Sequence, residues 1–217
     1  MTTATDRLRW AVLIPLKPLA SAKSRLAVPD ALRSELVLAM ACDTVAIALA
    51  CPAVDLVLVV TDAVEGLEPL QRMGAALIVD PAGDGLNAAL RHAAGIAAAR
   101  DSAYGIASLV ADVAAASVDQ LTRVLAEAAH HRCSFVPDAA GPGTTLVAAT
   151  QWGSFLPEYG PKSRRRHLEA GFVELSLPDL TGLRLDVDTT ADLQAAAAIG
   201  AGPRTRGLLS GLTTRLG

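Results

Sequence analysis

Aromatic residues make up only 3% of this 217-residue chain, so its core has to be assembled from Ala, Val and Leu. No sign of charge dominates either. The net charge of −3 gives no electrostatic case for a broad nucleic-acid or membrane-binding surface, and any anion site has to be local. Cysteines are few: Cys42, Cys51 and Cys133 are an odd, scattered set without metal-ligand spacing, and read as small buried hydrophobes in a reducing compartment. There is no charged start followed by an apolar core and cleavage site, and no apolar run of membrane-spanning length, so a soluble, cytoplasmic protein is expected. The motifs G-x-x-x-x-G-K-[ST] and G-x-S-x-G are missing, and His130, His131 and Cys133 are too crowded to chelate a metal. With no internal repeat and no dividing linker, residues 1–217 read as a single domain, with 1–9 and 200–217 loosely ordered.

What is present is a regular alternation. Apolar strands are expected at Trp10–Leu16, Val54–Thr61, Ala76–Val79, Tyr104–Val110, Cys133–Val136, Thr144–Thr150 and Phe172–Leu177. Helical patterns fall at Asp30–Ala50, Val64–Met73, Leu86–Arg100, Ser117–His131, Pro161–Ala170 and Ala191–Ile199. Asp30 is placed as N-cap of the first. Ser117 with Gln120 forms a capping box on the fourth, and Pro161 suits the first position of the basic helix. Strand–helix alternation that becomes mixed late in the chain predicts an α/β fold: three layers, Rossmann-like, around a mixed, mostly parallel sheet.

The first strand feeds a basic loop in which Lys17, Lys23 and Arg25 lie within nine residues, a spacing suited to a triphosphate or to a solvated surface. Gly83-Asp84-Gly85-Leu86-Asn87-Ala88 matches G-x-G-x-x-A, although after the third strand rather than the first. Its glycines let backbone approach a ligand, Asn87 can hydrogen-bond a sugar or base, and Asp84 and Asn87 can equally cap the helix. Taken literally, the motif is an NAD site. Asp112 stands where the Tyr104–Val110 strand ends. Asp186 and Asp188 flank Val187 in a segment read as extended, where residues two apart face one side and two carboxylates can converge on one ion; Asp188 is alternatively the N-cap of the last helix. The stretch Lys162–His167 gathers up to four cations, as a phosphate subsite or as a solvated face.

Together these residues resemble the 2-phospho-L-lactate or phosphoenolpyruvate guanylyltransferases of coenzyme F420 biosynthesis. The resemblance spans nearly all of residues 11–200. It rests on Lys17 with Ala22-Lys23-Ser24-Arg25-Leu26, Leu86-Asn87-Ala88-Ala89, Ser134–Asp138 with Gly141-Pro142-Gly143-Thr144, Gly160-Pro161-Lys162-Ser163 with Arg166-His167, and Asp186-Val187-Asp188-Thr189 with Ala191-Asp192-Leu193. It implies a nucleotidyltransferase fold and a Mg²⁺-dependent transfer of GMP from GTP to the phosphate of a three-carbon acid. No nucleic acid or membrane partner is implied, and the oligomeric state is left open. By position, the resemblance makes Asp112, Asp186 and Asp188 the metal carboxylates, and Thr144, Gly160 and Ser163 the acid-binding residues. It puts Lys17, Lys23, Arg25, Gly85 and Asn87 in the nucleotide half, with Asp112, Lys23 and Arg25 as the catalytic set. One segment departs: the family usually carries Gly-Asp-Leu-Pro around its first metal aspartate, and here it reads Ala111-Asp112-Val113-Ala114. The alternatives are a non-catalytic nucleotide-binding relative, or a transferase for another acid such as phosphoglycerate.

Overall fold

The computed structural model describes residues 8–19, 22–23, 25–79 and 84–216. The N-terminal arm up to residue 7, Ser24, and the turn Asp80–Gly83 with the first glycine of G-x-G-x-x-A lie outside the described residues. The elements run β1 (Trp10–Leu16), α1 (Asp30–Ala50), β2 (Val54–Thr61), α2 (Glu68–Met73), β3 (Ala76–Val79), α3 (Leu86–Arg100), β4 (Gly105–Leu109) and α4 (Val118–Ala128). They continue with β5 (Cys133–Pro137), β6 (Thr144–Ala149), α5 (Ser163–Glu169), β7 (Val173–Glu174), α6 (Thr181–Arg184), α7 (Thr190–Ile199) and α8 (Pro203–Leu216). The seven strands form one sheet in the order β3-β2-β1-β4-β6-β5-β7, parallel except where β6 meets β4 and β5. This is the mixed, mostly parallel α/β sheet that the sequence predicts.

The alternation along β1 makes the three layers. Trp10, Val12 and Ile14 point into a cluster built with α1 and α4, while Ala11 and Leu13 point to the other face with α3. On that second face α3 contributes Ala89, Leu90, Ala93, Ala94 and Ala97, and the small side chains let its backbone lie close to the sheet. The scarce aromatics concentrate there too: Phe135, Phe155, Tyr159 and Phe172 are all buried in this layer.

Several boundaries differ from expectation, each for a local reason. Asp30 is the first helical residue of α1 and pairs with Arg33, so it is not an N-cap. The start of α2 is delayed to Glu68 by a turn through Gly66 (φ +76°). The start of α5 is delayed to Ser163 because Lys162 is left-handed (φ +58°) and the Ser163 N–H bonds Gly160 O; Pro161 therefore precedes the helix. The segment read as extended from Leu183 instead ends α6 and then runs without a strand partner. Thr189, not Asp188, caps α7 in a capping box with Asp192.

The largest correction concerns the C-terminus, where a weakly ordered tail was expected and α8 forms. Asp43, on α1 and only 2% exposed, accepts hydrogen bonds from the backbone N–H groups of Arg204 (3.1 Å) and Thr205 (2.9 Å). It thus satisfies donors that the first turn of a helix leaves free. Asp43→Ala should cost about 1–2 kcal/mol. That would lower the melting temperature by roughly 2–8 °C, with Asp43→Asn losing less because one acceptor remains. Thermal unfolding of the two variants checks this, and an unchanged melting temperature for Asp43→Ala would contradict it.

Candidate active site

The carboxyl ends of β1, β2 and β4 lie on one edge of the sheet, and from β1 the chain builds outward to β2 and β3 on one side and to β4 on the other. In open α/β sheets, ligands bind in the crevice outside the carboxyl ends of the strands at such a switch point. Here it is a cavity of about 680 Å³, lined by Pro15 at the end of β1, Lys17, Lys23 and Arg25 from the loop after it, Thr61 at the end of β2 with Asp62 following, Gly85 and Leu86 at the start of α3, and Asp112 and Asp188. That volume lies within the range of small-molecule and cofactor pockets. Lys17 and Arg25 are exposed and have no ion-pair partner among the described residues.

Lys23 sits at the electrostatic centre. Its Nζ pairs with Asp112 and, at 2.6 Å, with Asp188. Burial works against its charge, but the Asp112 and Asp188 carboxylates outweigh burial and hold its pKa above the usual lysine range. One ammonium does not neutralise the region. Asp112 Oδ1 is buried and has no hydrogen-bond partner among the described residues. Asp186, which is outside the cavity lining, is pushed up to about 6, first by burial and then by Asp112, its own neighbour Asp188, and Asp138. Among the described residues no three acidic, His or Cys side chains form a closed metal cluster. An orphaned carboxylate oxygen whose charge raises the pKa of a second carboxyl nevertheless fits Mg²⁺, which takes one or two protein carboxylates and completes its shell with water and phosphate.

The proton affinity of Asp186 has a measurable consequence. An unfolded aspartate titrates near 3.9. The folded state holds the proton more tightly, so the Asp186 contribution to stability is full below that value and is lost as pH rises through about 6. In metal-free protein, wild type should therefore lose stability relative to Asp186→Asn between about pH 4 and pH 7. Parallel melts of the two proteins in chelator test this, and a pH-independent difference would count against it.

The loop that carries Asp112 is held from outside. Thr44 Oγ1 donates to Ala111 O (3.1 Å). Val187 N donates to Asp112 O (3.2 Å), and Gly202 N donates to Ala114 O (2.8 Å). Gly182 packs so closely that a Cβ there would overlap Ala115.

The residues assigned to the acid form a second, buried assembly. Thr144 (7% exposed) and Ser163 (2%) are hydrogen-bonded to each other at 3.0 Å, and Thr144 Oγ1 meets His167 Nδ1 at 3.2 Å. His167 Nε2 accepts the Glu158 backbone N–H at 2.9 Å, which assigns the ring proton to Nδ1. Fully enclosed by Phe135, Tyr159 and Phe172, the imidazole is pushed down by burial to about 4 and stays neutral near pH 7. Burial also pushes the Tyr159 hydroxyl up, and it bonds Ser108 on β4 at 2.8 Å. Gly160 follows, exposed and at φ +128°. The basic stretch is largely spoken for: Arg164 pairs with Glu174, Arg165 with Glu169 and Arg166 with Glu158. The four-cation gathering is thus reduced to Lys162.

The structure therefore brings Lys17, Lys23, Arg25, Gly85, Asp112 and Asp188 to one cavity. Asn87, Thr144, Gly160, Ser163 and Asp186 are not among its lining residues. Neither Asp84 nor Asn87 caps α3; the N-cap position is Gly85, with no side-chain cap. Sequence reasoning missed His167 and Tyr159 as structural partners of the site. The one available signal was the spacing of Ser163 and His167, four apart on one helix face.

Comparisons with known proteins follow the same lines. The model of a family described as Guanylyl transferase CofC like matches residues 10–215. A phosphoenolpyruvate guanylyltransferase of Streptomyces avermitilis is 49% identical over 201 residues, covering 91% of this chain and 93% of that one. Proteins of the same name from Streptomyces coelicolor (46% over 200 residues; 91% and 94% covered) and Thermomonospora curvata (46% over 208 residues; 95% and 91% covered) are similarly related. Among solved structures, a nucleotidyl transferase from Methanothermobacter superposes with a TM-score of 0.60 at 22% identity, covering 87% of this chain and 97% of that one. A 4-diphosphocytidyl-2C-methyl-D-erythritol synthase superposes at 0.59 and 12% identity, covering 88% and 99%. At these identities the structures establish the fold alone, and the fold is that of nucleotidyltransferases.

Proposed function

The chain belongs to the CofC-like guanylyl transferase family, and from that premise we propose that it joins the GMP part of GTP to the phosphate of phosphoenolpyruvate, releasing pyrophosphate, in the route to coenzyme F420. The observation that carries this reading is the cavity at the carboxyl ends of β1, β2 and β4, which Lys17, Lys23 and Arg25 line together with Asp112 and Asp188, Lys23 pairing with both carboxylates. A triphosphate bound there would meet three cations along its length. Gly85, at φ +88°, offers backbone at the start of α3 without a Cβ to obstruct the approach.

The reaction asks little of acid–base chemistry. The nucleophile is a phosphate oxygen of the acid, already an anion at neutral pH. It attacks the α-phosphorus as the bond to the bridging oxygen of pyrophosphate breaks. The nearby titratable groups agree with this: His167 is neutral and fully engaged, and burial keeps the Tyr159 hydroxyl protonated. What remains is alignment and charge, with Lys17, Lys23 and Arg25 stabilising the developing pyrophosphate. Mg²⁺, held by Asp112 with Asp186 and Asp188, would supply positive charge at the α-phosphate. Lys23 now holds the position between Asp112 and Asp188, and on ligand entry its ammonium would be available to the phosphates.

Incubation with GTP, Mg²⁺ and each of phosphoenolpyruvate, 2-phospho-L-lactate and phosphoglycerate, read by pyrophosphate release, tests the proposal. Release with phosphoenolpyruvate is the expected result, release with another acid alone would reassign the substrate, and no release with any acid would sink it.

A further inference from the structure

Asn87 is the second residue of α3 and follows Leu86, which lines the large cavity, yet Asn87 itself is not a lining residue. Its side-chain amide is engaged elsewhere. Nδ2 donates to Tyr159 O at 3.0 Å, and Oδ1 accepts the Tyr159 N–H at 2.9 Å. One primary amide thus satisfies both backbone groups of a single loop residue, as a neighbouring strand would. The same loop is tied at three other points. Glu158 N–H donates to His167 Nε2, the Tyr159 hydroxyl bonds Ser108, and Arg166 reaches both the Glu158 carboxylate and Tyr159 O. Gly160 has no side chain of its own to fix it, and its left-handed backbone begins directly after Tyr159.

We infer that Asn87 is a positioning residue for the acid substrate, acting through the Glu158–Gly160 loop, and not a nucleotide ligand. The inference rests on the proposed function in taking Gly160, with Thr144 and Ser163, as the acid-binding positions. The start of α3 then has two duties. Gly85 and Leu86 face the nucleotide cavity, and Asn87, the next residue, fixes where the acid loop stands relative to it. The distance between the two reacting phosphates is set across this link, so an error in it is felt as misalignment and not as lost nucleotide affinity.

Two variants test this. Asn87→Ala removes both hydrogen bonds; Asn87→Asp keeps the size and one acceptor but sets a carboxylate against Tyr159 O. For each, the KM for phosphoenolpyruvate, the GTP dissociation constant by calorimetry, and amide hydrogen exchange across residues 156–162 of the free protein are measured. The expected result is a rise in acid KM of about tenfold or more in both variants, a GTP constant within about twofold of wild type, and loop amides exchanging about tenfold faster. A tenfold weaker GTP constant with unchanged acid KM would make Asn87 a nucleotide ligand and overturn the inference, as would unchanged loop exchange. If Asn87→Ala fails to fold, Asn87→Asp carries the same measurements. A wild-type protein that turns over no acid overturns the proposed function and the acid-directed half of the inference together. The exchange experiment needs no substrate, and separately decides whether Asn87 holds the loop.

Discussion

Asp112→Asn should reduce metal-dependent product formation by about a thousandfold while leaving the fold intact. The two expectations come from different atoms. Among the described residues, the Asp112 side chain is the one carboxylate that both meets Lys23 in the cavity and keeps a buried oxygen without a hydrogen-bond partner. An amide of the same shape cannot hold a divalent cation against competing water, and it cannot balance the Lys23 ammonium. The backbone of the loop, by contrast, is fixed by Thr44, Val187 and Gly202, none of which touches the carboxylate. Melting temperature should therefore move little while turnover collapses. Asp188→Asn should be milder, because Asp188 is half exposed and shares Lys23 with Asp112. Steady-state rates at saturating GTP and Mg²⁺ check both, and wild-type turnover in Asp112→Asn would remove the proposed metal role.

The second large effect is expected at a residue that carries no charge. In Gly182→Ala the new methyl would lie 2.6 Å from the carbonyl carbon of Ala115 and closer still to its oxygen. The obstacle is backbone, which has no rotamer to adopt, so either α6 or the 113–116 loop must move. Overpacking of this kind costs about 2–4 kcal/mol, which in a domain of this size lowers the melting temperature by roughly 4–16 °C. Activity should fall as well, since the displaced loop begins at Asp112. Gly95→Ala is the internal comparison: it lies mid-helix in α3 with nothing within 4 Å of the added carbon, and should stabilise by about 0.5–1 kcal/mol. Equal effects of the two substitutions would contradict the packing argument.

These two sites also show which features could be read in advance. The parallel strands β1, β2 and β3 were legible to the residue because runs such as Val54–Thr61 are apolar on both faces and bounded by turn residues, which leaves few alternatives. The capping box of Ser117 and Gln120 was legible because both partners lie within one turn. What escaped depends on partners distant in sequence. The helix α8 contains Gly207 and Gly211, and its own propensity argues against it; it forms where Asp43, some 160 residues earlier, meets its first amides. Asp186 and Asp188 were read as an extended pair, but the chain there follows the contour of the Asp112 loop through Val187 and pairs with no strand. Asn87 looked like a cap or a ligand because a pattern of glycines surrounds it, and its real partner is 72 residues away. Two arginines of the basic stretch looked available for phosphate because Glu158 and Glu174 lie off the helix and fold back onto Arg166 and Arg164, whereas the Arg165–Glu169 pair, four apart on one helix, was legible and went unread.

The ionic arrangement of the cavity bears on how a ligand finds it. Among its lining residues, three cations (Lys17, Lys23 and Arg25) stand against three carboxylates (Asp62, Asp112 and Asp188), so the cleft carries no formal net charge. Viewed from beyond a Debye length it is neither a funnel for anions nor a barrier to them, on a chain whose overall charge is −3. A nucleotide bound as proposed would therefore not be steered in from afar. It would be recognised only at close range, when Lys23 exchanges its carboxylates for phosphate, and its rate of arrival should depend little on salt even though its grip, once seated, would be ionic.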